Sequence, residues 1–505
     1  MENSYLTIKQ NVILRKDKNR AIAYFKTGGG IERFSPKKDD RLSENDVNFY
    51  VLSPTFALAL FLMDGTMTYR SICDAVSDYF KMDINDKDLF CKSLKELSVF
   101  FTLSNVAENN RIKELSITDI LPDLQLIDYY DMSADLLYIP YTYLILPTMS
   151  CYVDCCYCYA NREHAFDPIP IEKWVSTIED LATKYGAKDI SISGGDIFLY
   201  EHWEKLLNTL ANNSYFPELP TKVPLSISDQ KLLYDMGFRS YQISLDTLEP
   251  KLISSNLNIR DPMKYRNEIL RSITTASEIG LKISINCILT NDTLDDVVNT
   301  MEILRSYKNI YRVSIGTMGY TLYNRDVNSS LMLTKKDEAR VKVCYNRVSE
   351  LFKDSGVYFK MDDPIYIDAD KSVTEDEFWN RAFCTGGRTG LVILPDGKIT
   401  CCEELYWYPE YIIGDLKEQS LDEVFASPKR WNLLNPRKED VDRNSPCFNC
   451  IDEVFEKCNR EKGRCYRETL KIFGKVDYPD PRCPFYKDIQ SFSQTNKEFP
   501  LRSNC

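Results

Sequence analysis

Tyr143-Leu144-Ile145-Leu146-Pro147-Thr148-Met149-Ser150-Cys151-Tyr152-Val153-Asp154-Cys155-Cys156-Tyr157-Cys158 is the stretch from which the rest of the chain is read. An apolar run of strand type, Tyr143 to Leu146, leads directly into three cysteines spaced Cys-x3-Cys-x2-Cys. Three thiolates on one loop hold three corners of a four-iron cluster and leave the fourth iron free for a ligand. Zinc is the rival occupant. Zinc sites usually combine two Cys-x2-Cys or Cys/His knuckles, and no fourth Cys or His follows here in matching spacing.

The spacing of Cys151, Cys155 and Cys158, with the aromatic Tyr157 before the last of them, resembles the motif of radical S-adenosylmethionine (SAM) enzymes. That resemblance implies a [4Fe-4S] cluster on these cysteines, with SAM bound at its open iron. Outward from the motif, apolar strands alternate with amphipathic helices, as in a parallel sheet with helical crossovers. Ile190–Ser193, Tyr241–Leu245, Leu281–Leu289 and Arg312–Ile315 read as strands, and Ile171, Trp174, Val175, Ile178 and Leu181 stripe a helix. Lys222–Ser226 stands in the place of the third strand. Pro224 makes that strand an edge or a bulge, and it lacks the family's frequent Thr-Asn-Gly ending. The fold class expected is α/β, a partial (β/α)6 barrel of the radical SAM kind.

In such barrels the chemistry gathers at the carboxyl ends of the strands. After the second strand, Gly194-Gly195-Asp196 resembles the Gly-Gly-Glu motif that holds the amino group of SAM, with Asp196 one methylene shorter than the usual Glu. A tight turn capping the following helix is the plainer reading of the same residues. The fourth strand ends at Ser244 and Asp246, where relatives bind the SAM ribose, and the fifth carries Asn286 facing the same mouth.

A second set of cysteines lies far downstream. Cys384, Gly397 and Cys402, then Cys447-x2-Cys450, Cys458, Cys465 and Cys483, resemble the SPASM pattern of radical SAM enzymes with auxiliary clusters. The resemblance implies two auxiliary iron-sulfur clusters, the first on Cys384, Cys402 and Cys465, the second on Cys447, Cys450, Cys458 and Cys483. Only three ligands are evident for the first. Its fourth iron is either open to substrate or bound by another group, and Cys401 beside Cys402 confuses the register. Leu394–Lys398 reads as a hairpin turn. Glu403 stands where sulfatase-maturating relatives carry an acidic residue that takes a proton from substrate, which makes it the candidate catalytic base. A solvated surface carboxylate is the plainer alternative.

The first hundred residues differ in kind. Asn11–Leu14 and Ala21–Phe25 read as a hairpin, followed by helices over Thr55–Met63, around Ile72–Phe80, and a third entered through Asn85 or Asp86 with Phe90, Leu94 and Leu97 on one face. This winged-helix-like module resembles the precursor-recognition domain of peptide-modifying enzymes, related to the peptide chaperone of pyrroloquinoline quinone synthesis. Such domains take a leader peptide as an added strand. The organisation expected is a recognition domain over 1–105, a linker over 106–140 wrapping the outside, the barrel over 141–325, a bridging region over 326–380 and a cysteine-rich SPASM domain over 381–505.

Composition bounds the function. The chain has 505 residues, 44% apolar and 27% charged, enough for about three domains. A net charge of -12 speaks against nucleic acid as partner, and the only histidines, His164 and His202, read as surface residues. No signal peptide or membrane span is evident, so a cytoplasmic location is expected. There, 17 cysteines point to metal sites rather than disulfides. The implied activity is radical modification of a ribosomally made precursor peptide, through a thioether or carbon-carbon bond, with a flavodoxin or ferredoxin as electron donor. A formylglycine-forming enzyme and a non-catalytic peptide-binding scaffold are the alternatives.

Overall fold

The computed structural model describes residues 2–27, 49–107, 116–133, 136–160, 166–319, 322–323, 331–361, 374–381 and 383–485. They fall into two compact units. One takes the chain up to Thr142 together with Asp180–Asp189; the other takes Tyr143–Glu179 and the chain from Ile190 onward.

In the first unit, β1 (Tyr5–Ile8), β2 (Val12–Lys16), β3 (Ala21–Phe25), β4 (Tyr50–Leu52), α1 (Pro54–Phe61), β5 (Asp64–Thr68), α2 (Tyr69–Phe80), α3 (Ile84–Ser93) and β6 (Phe101–Ser104) follow in order. The strands form two three-stranded sheets, β5-β1-β6 and β2-β3-β4. The expected hairpin is β2–β3, antiparallel from Val12 opposite Phe25 to Lys16 opposite Ala21. Helix α1 starts where Ser53 accepts a hydrogen bond from the Phe56 amide, with Pro54 fixing the first turn.

Helix α3 begins earlier than expected, because Asp83 rather than Asn85 or Asp86 accepts from the Asp86 amide at 2.8 Å. Phe90 and Leu94 are buried in the unit's core with Leu6, Ala57, Leu60, Ile72 and Val76. The stretch expected to wrap outside as a linker joins that core instead. Ile120 and Leu121 are buried in it, and the Tyr130 hydroxyl donates to the Leu52 carbonyl at 2.7 Å while accepting from the Ala21 amide. Burial of two adjacent aliphatic side chains is worth about 3–6 kcal/mol, enough to hold a polar segment down.

The second unit alternates β7 (Thr142–Ile145), α4 (Ile171–Thr183), β8 (Asp189–Ile192), α5 (Trp203–Asn212), β9 (Pro220–Thr221), α6 (Ile227–Asp235), β10 (Ser240–Ser244), α7 (Pro250–Leu257), α8 (Pro262–Ile279), β11 (Lys282–Leu289), α9 (Val297–Leu304), β12 (Ile310–Thr317), α10 (Glu338–Phe352) and β13 (Tyr358–Met361). Strands β9 to β13 make one five-stranded sheet in the order β13-β12-β11-β10-β9, parallel throughout. Two corrections follow. The third strand is Pro220–Thr221, not Lys222–Ser226, since Ser226 instead caps α6 by accepting from the Asp229 amide at 3.2 Å. Beyond the six expected strands, β13 adds another from the stretch read as a bridge.

The cysteine-rich end contributes β14 (Gly390–Ile393), β15 (Lys398–Thr400) and β16 (Ile412–Asp415). These continue the sheet of the cluster strand, in the order β16-β15-β14-β7-β8. The Leu146 amide donates to the Ile393 carbonyl at 2.9 Å. Gly397 turns the β14–β15 hairpin at a φ of +85°, a conformation glycine adopts without strain. Among the described residues no helix is long and apolar enough to cross a membrane. His202 is exposed; His164 lies outside the described residues.

Candidate active site

The loop after β7 carries Cys151, Cys155 and Cys158, all partly exposed. Backbone contacts fix it. The Cys156 amide donates to Asn256 at the end of α7 at 2.9 Å, and the Cys158 amide to Cys155 at 3.1 Å. From the turn after β8, the Gly195 amide donates to Thr148 at 2.8 Å and the Asp196 amide to Ser150 at 2.7 Å. A Cβ on Gly195 would stand 2.2 Å from the Ser150 carbonyl oxygen, and one on Gly194, whose φ is +100°, would stand 2.7 Å from that of Thr148. The two glycines are what allow this turn to lie against the cluster loop.

Asp196 is buried and its carboxylate is engaged by the protein. It accepts from the Phe198 amide at 3.2 Å, the Thr221 hydroxyl at 2.7 Å and the Lys222 amide at 2.9 Å. Burial pushes its pKa up against these hydrogen bonds. The side chain thus caps the turn Ile197–Leu199 and ties the second strand end to the third.

The strand ends converge on an ion pair. Asp246 accepts from Lys222 Nζ at 3.0 Å, from the Ile288 amide at 2.8 Å and from the Tyr157 hydroxyl. Lys222 Nζ also donates to the Ser244 carbonyl at 2.8 Å and lies 5.7 Å from the centre of the Tyr157 ring. Burial alone would lower the Lys222 pKa, but Asp246 and Cys155 outweigh it and raise it. Tyr157 is held well above its usual range by burial and then by Asp246. Asn286 sits opposite Ser244 in the register of β10 and β11, on the face away from Ile283, Ile285 and Cys287. Sequence reading missed Lys222, because it placed the third strand two residues late; with the strand ending at Thr221, Lys222 falls at the carboxyl end where ligand groups gather.

Glu403 reaches the same mouth from the far end of the chain. Its carboxylate accepts from the Tyr159 hydroxyl at 3.1 Å and the Ser193 hydroxyl at 3.2 Å. Burial raises its pKa, opposed by these two hydrogen bonds. Tyr159 adjoins Cys158, and Ser193 directly follows β8. The surface-carboxylate alternative therefore does not hold for Glu403, whereas Tyr159 and Ser193 carried no sequence signal.

Cys384, Cys402 and Cys465 line one cavity, and Cys401 lines it too. Burial pushes the Cys402 thiol up to about 12. Cys447, Cys450, Cys458 and Cys483 form a second group: burial first, then Cys458, Cys447 and Cys450, pushes Cys483 up to about 12. Cys458 lies in a turn of π-helix, Lys457–Lys462, and Arg381 Nη2 donates to its sulfur at 3.4 Å. Among the described residues all sixteen cysteines are free, and no three Cys, His, Asp or Glu side chains close on a single ion. A four-iron cube is a wider body that holds its thiolates farther apart than one zinc ion does. The donor sets, three thiols on one loop and two further groups of thiols, all partly exposed, suit iron-sulfur clusters.

Fold and donor set are those of an iron-sulfur protein. Residues 145–304 match the Radical SAM superfamily and residues 384–451 match SPASM, an iron-sulfur cluster-binding domain. Residues 145–304 thus carry a radical SAM domain and residues 384–451 a SPASM domain, and these two domains imply a [4Fe-4S] cluster with SAM and auxiliary clusters. The chain is 22% identical over 369 residues to the sporulation killing factor maturation protein SkfB of Bacillus subtilis, covering 70% of this chain and 74% of that one. It is 20% identical over 350 residues to the PqqA peptide cyclase of Rhizobium meliloti, covering 66% and 84%. The fold is that of Streptococcus suis SuiB, whose complex with its precursor peptide SuiA superposes with a TM-score of 0.62 at 17% identity, over 94% of this chain and 98% of that one.

Proposed function

We propose that this enzyme modifies a ribosomally made precursor peptide, joining a side chain to an unactivated carbon as a thioether or carbon-carbon crosslink. Relatives named for peptide maturation and peptide cyclisation, and a like fold solved with a precursor peptide, support the peptide as substrate. The observation that carries the reading is the seating of Glu403, a residue of the cysteine-rich end, on Tyr159 and Ser193 beside Cys158. A carboxylate held there is placed for proton transfer where hydrogen abstraction begins.

Cys151, Cys155 and Cys158 would hold the SAM-binding cluster, Cys384, Cys402 and Cys465 the first auxiliary cluster, and Cys447, Cys450, Cys458 and Cys483 the second. When bound, these clusters and SAM would supply one-electron chemistry, namely the means to remove a hydrogen atom from carbon and a sink for the electron left by bond formation. Glu403 takes the remaining proton, from a thiol or a carbon. Tyr159 and Ser193 hold its carboxylate in place. Gly194 and Gly195 fit the turn closely to the cluster loop, and with Asp196, Tyr157, Ser244, Asn286 and the Lys222–Asp246 pair they would line the SAM site. A flavodoxin or ferredoxin supplies the first electron. The free cysteines suit a reducing, cytoplasmic setting.

The first unit would take the leader peptide. Among the described residues its sheets have β4, β2, β5 and β6 as edges, and Leu103 on β6 and Tyr50 on β4 are exposed apolar side chains there. An extended peptide added to such an edge gains backbone hydrogen bonds, with its side chains read by neighbouring apolar groups.

The test is anaerobic reconstitution with iron and sulfide, followed by SAM, reductant and the peptide encoded beside the gene. The expected result is 5'-deoxyadenosine together with a peptide lighter by two hydrogen atoms per bond, located by tandem mass spectrometry. A peptide of unchanged mass while 5'-deoxyadenosine accumulates would contradict the proposal.

A further inference from the structure

The cavity of the first auxiliary cluster contains more sulfur than the SPASM pattern assigns to it. Cys384, Cys401, Cys402 and Cys465 all line it. Adjacent residues of a strand point to opposite faces, so Cys401 and Cys402 would not share a site inside a strand. Strand β15 ends at Thr400, however, and the chain bends at Cys401. With the alternation broken there, two consecutive side chains meet one cavity.

The surrounding glycines hold Cys401 against the other ligands. A Cβ on Gly386 would lie 2.5 Å from the Cys401 carbonyl oxygen and 3.6 Å from Cys384 Sγ. Gly387, with φ +74°, would place one 3.5 Å from Cys401 Cβ. Gly463, with φ +72°, would place one 3.1 Å from Cys384 Cβ, two residues before Cys465. The Cys384–Gly387 turn is therefore pressed between Cys401 on one side and the approach to Cys465 on the other. Side chains at Gly386 or Gly463 would drive these elements apart.

The charge of the lining agrees. Arg388 and Arg464 both line the cavity and both are buried, donating to the carbonyls of Asn459 and Val476. Buried guanidinium groups are costly unless an anion compensates them. A [4Fe-4S] cube with four thiolates carries a charge of 2-, one more than a cube with three. Replacing an open iron site by a Cys401 thiolate adds that charge in a cavity whose lining includes Arg388, Arg464 and Arg467.

We propose that Cys401 is the fourth ligand of the first auxiliary cluster, which is then bound entirely by Cys384, Cys401, Cys402 and Cys465 and has no iron open to substrate. The inference rests on reading this cavity as that cluster's site. Its functional consequence is specific: the first auxiliary cluster accepts and passes electrons without ligating a thiol of the peptide. Cys401 gives up its proton on binding iron, as the other three thiols do.

The experiment uses the full-length protein with Cys151→Ala, Cys155→Ala and Cys158→Ala, which leaves the auxiliary clusters alone, reconstituted anaerobically and reduced. Electron paramagnetic resonance is recorded with and without 13C-cyanide, a ligand that binds an open iron. The parent should show no 13C coupling. Adding Cys401→Ala should produce that coupling, or remove one auxiliary signal and its iron while the other persists.

If Cys401→Ala does not fold, Cys401→Ser should shift the g values, because an oxygen ligand replaces sulfur. Coupling to cyanide in the parent overturns the proposal, as does a Cys401 variant whose spectrum and cyanide response match the parent's. Cys384→Ala in the same parent separates the two levels of argument: if it disturbs neither auxiliary signal, the cavity holds no cluster, and the reading beneath the proposal fails.

Discussion

The early thiol loop and the late cysteine-rich region hold sulfur by different means. Around Cys151–Cys158 the support is neutral backbone: amides of Gly195 and Asp196 donate to Thr148 and Ser150, and the Cys156 amide to Asn256. The charged groups nearby lean negative, with Lys222 set against Asp246 and with Asp196 and Glu403 close to the same strand ends. Around Cys384–Cys483 the buried arginines Arg381, Arg388 and Arg464 stand in numbers, accompanied by the buried carboxylates Asp480 and Glu404. A reduced cluster is more negative than an oxidised one, so carboxylates beside it lower the potential and guanidinium groups raise it. On the function proposed above, the comparison would set a strongly reducing SAM-cleaving cluster apart from auxiliary clusters suited to accept an electron.

The sharpest way to break this division is to remove a thiol from each side. Cys155→Ala should lower 5'-deoxyadenosine formation about 10³-fold or more, as expected when an essential group is deleted. Cys450→Ala should leave SAM cleavage measurable while crosslinked peptide disappears. Chromatographic assay of both products decides it. If Cys450→Ala stops SAM cleavage as completely as Cys155→Ala in folded protein, the two regions do not divide the chemistry. Gly195→Ala should act almost as strongly on the early loop alone. The new methyl group meets the Ser150 backbone, and destabilisation of about 2–4 kcal/mol is expected for such an overpacked contact. Thermal unfolding and iron content measure it, with the auxiliary signals retained.

What the sequence revealed follows the same division. The cysteine spacings are local, so both thiol regions were legible, as was the alternation of strands and helices at β10, β11 and β12. Lys222 was not, because β9 is only two residues long and a two-residue strand has no hydrophobic period. Nor was the contact of Tyr159 with Glu403, which joins residues 244 positions apart. Cys401 was hidden by its neighbour, since the Gly-x4-Cys spacing from Gly397 selects Cys402. Asp196 was legible only by its place after two glycines, whereas its contacts with Phe198 and Thr221, which cap a turn and join two strand ends, were not. Ile120 and Leu121 show how little sequence is needed to turn a polar linker into part of a core.

Glu403 lies where the two regions meet, and changing it sharpens their coupling. Glu403→Gln keeps the shape and the ability to accept from Tyr159 and Ser193 but takes up no proton. Crosslink formation should fall about 10²–10³-fold, the usual contribution of a general base. SAM cleavage should continue, so the ratio of 5'-deoxyadenosine to crosslinked peptide rises. If both products fall together, Glu403 serves the early cluster's structure, and the proton must go elsewhere.

The smallest expected effect tests the electrostatic half of the comparison. Arg381 donates to Cys458 and faces the buried Asp480 at 3.9 Å, so Arg381→Met removes a cation from the second auxiliary group while keeping much of the side-chain volume. A unit charge at about 7 Å in a medium of effective dielectric about 20 is worth about 2 kcal/mol, or roughly 100 mV for one electron. The potential of that cluster should fall by up to this amount, read by redox titration followed with electron paramagnetic resonance. The potential of the cluster on Cys151, Cys155 and Cys158 should stay where it was. A fall of equal size in both would mean that the arginines act through the overall field of the protein. A fall confined to the late region places the electron acceptor where the buried guanidinium groups are.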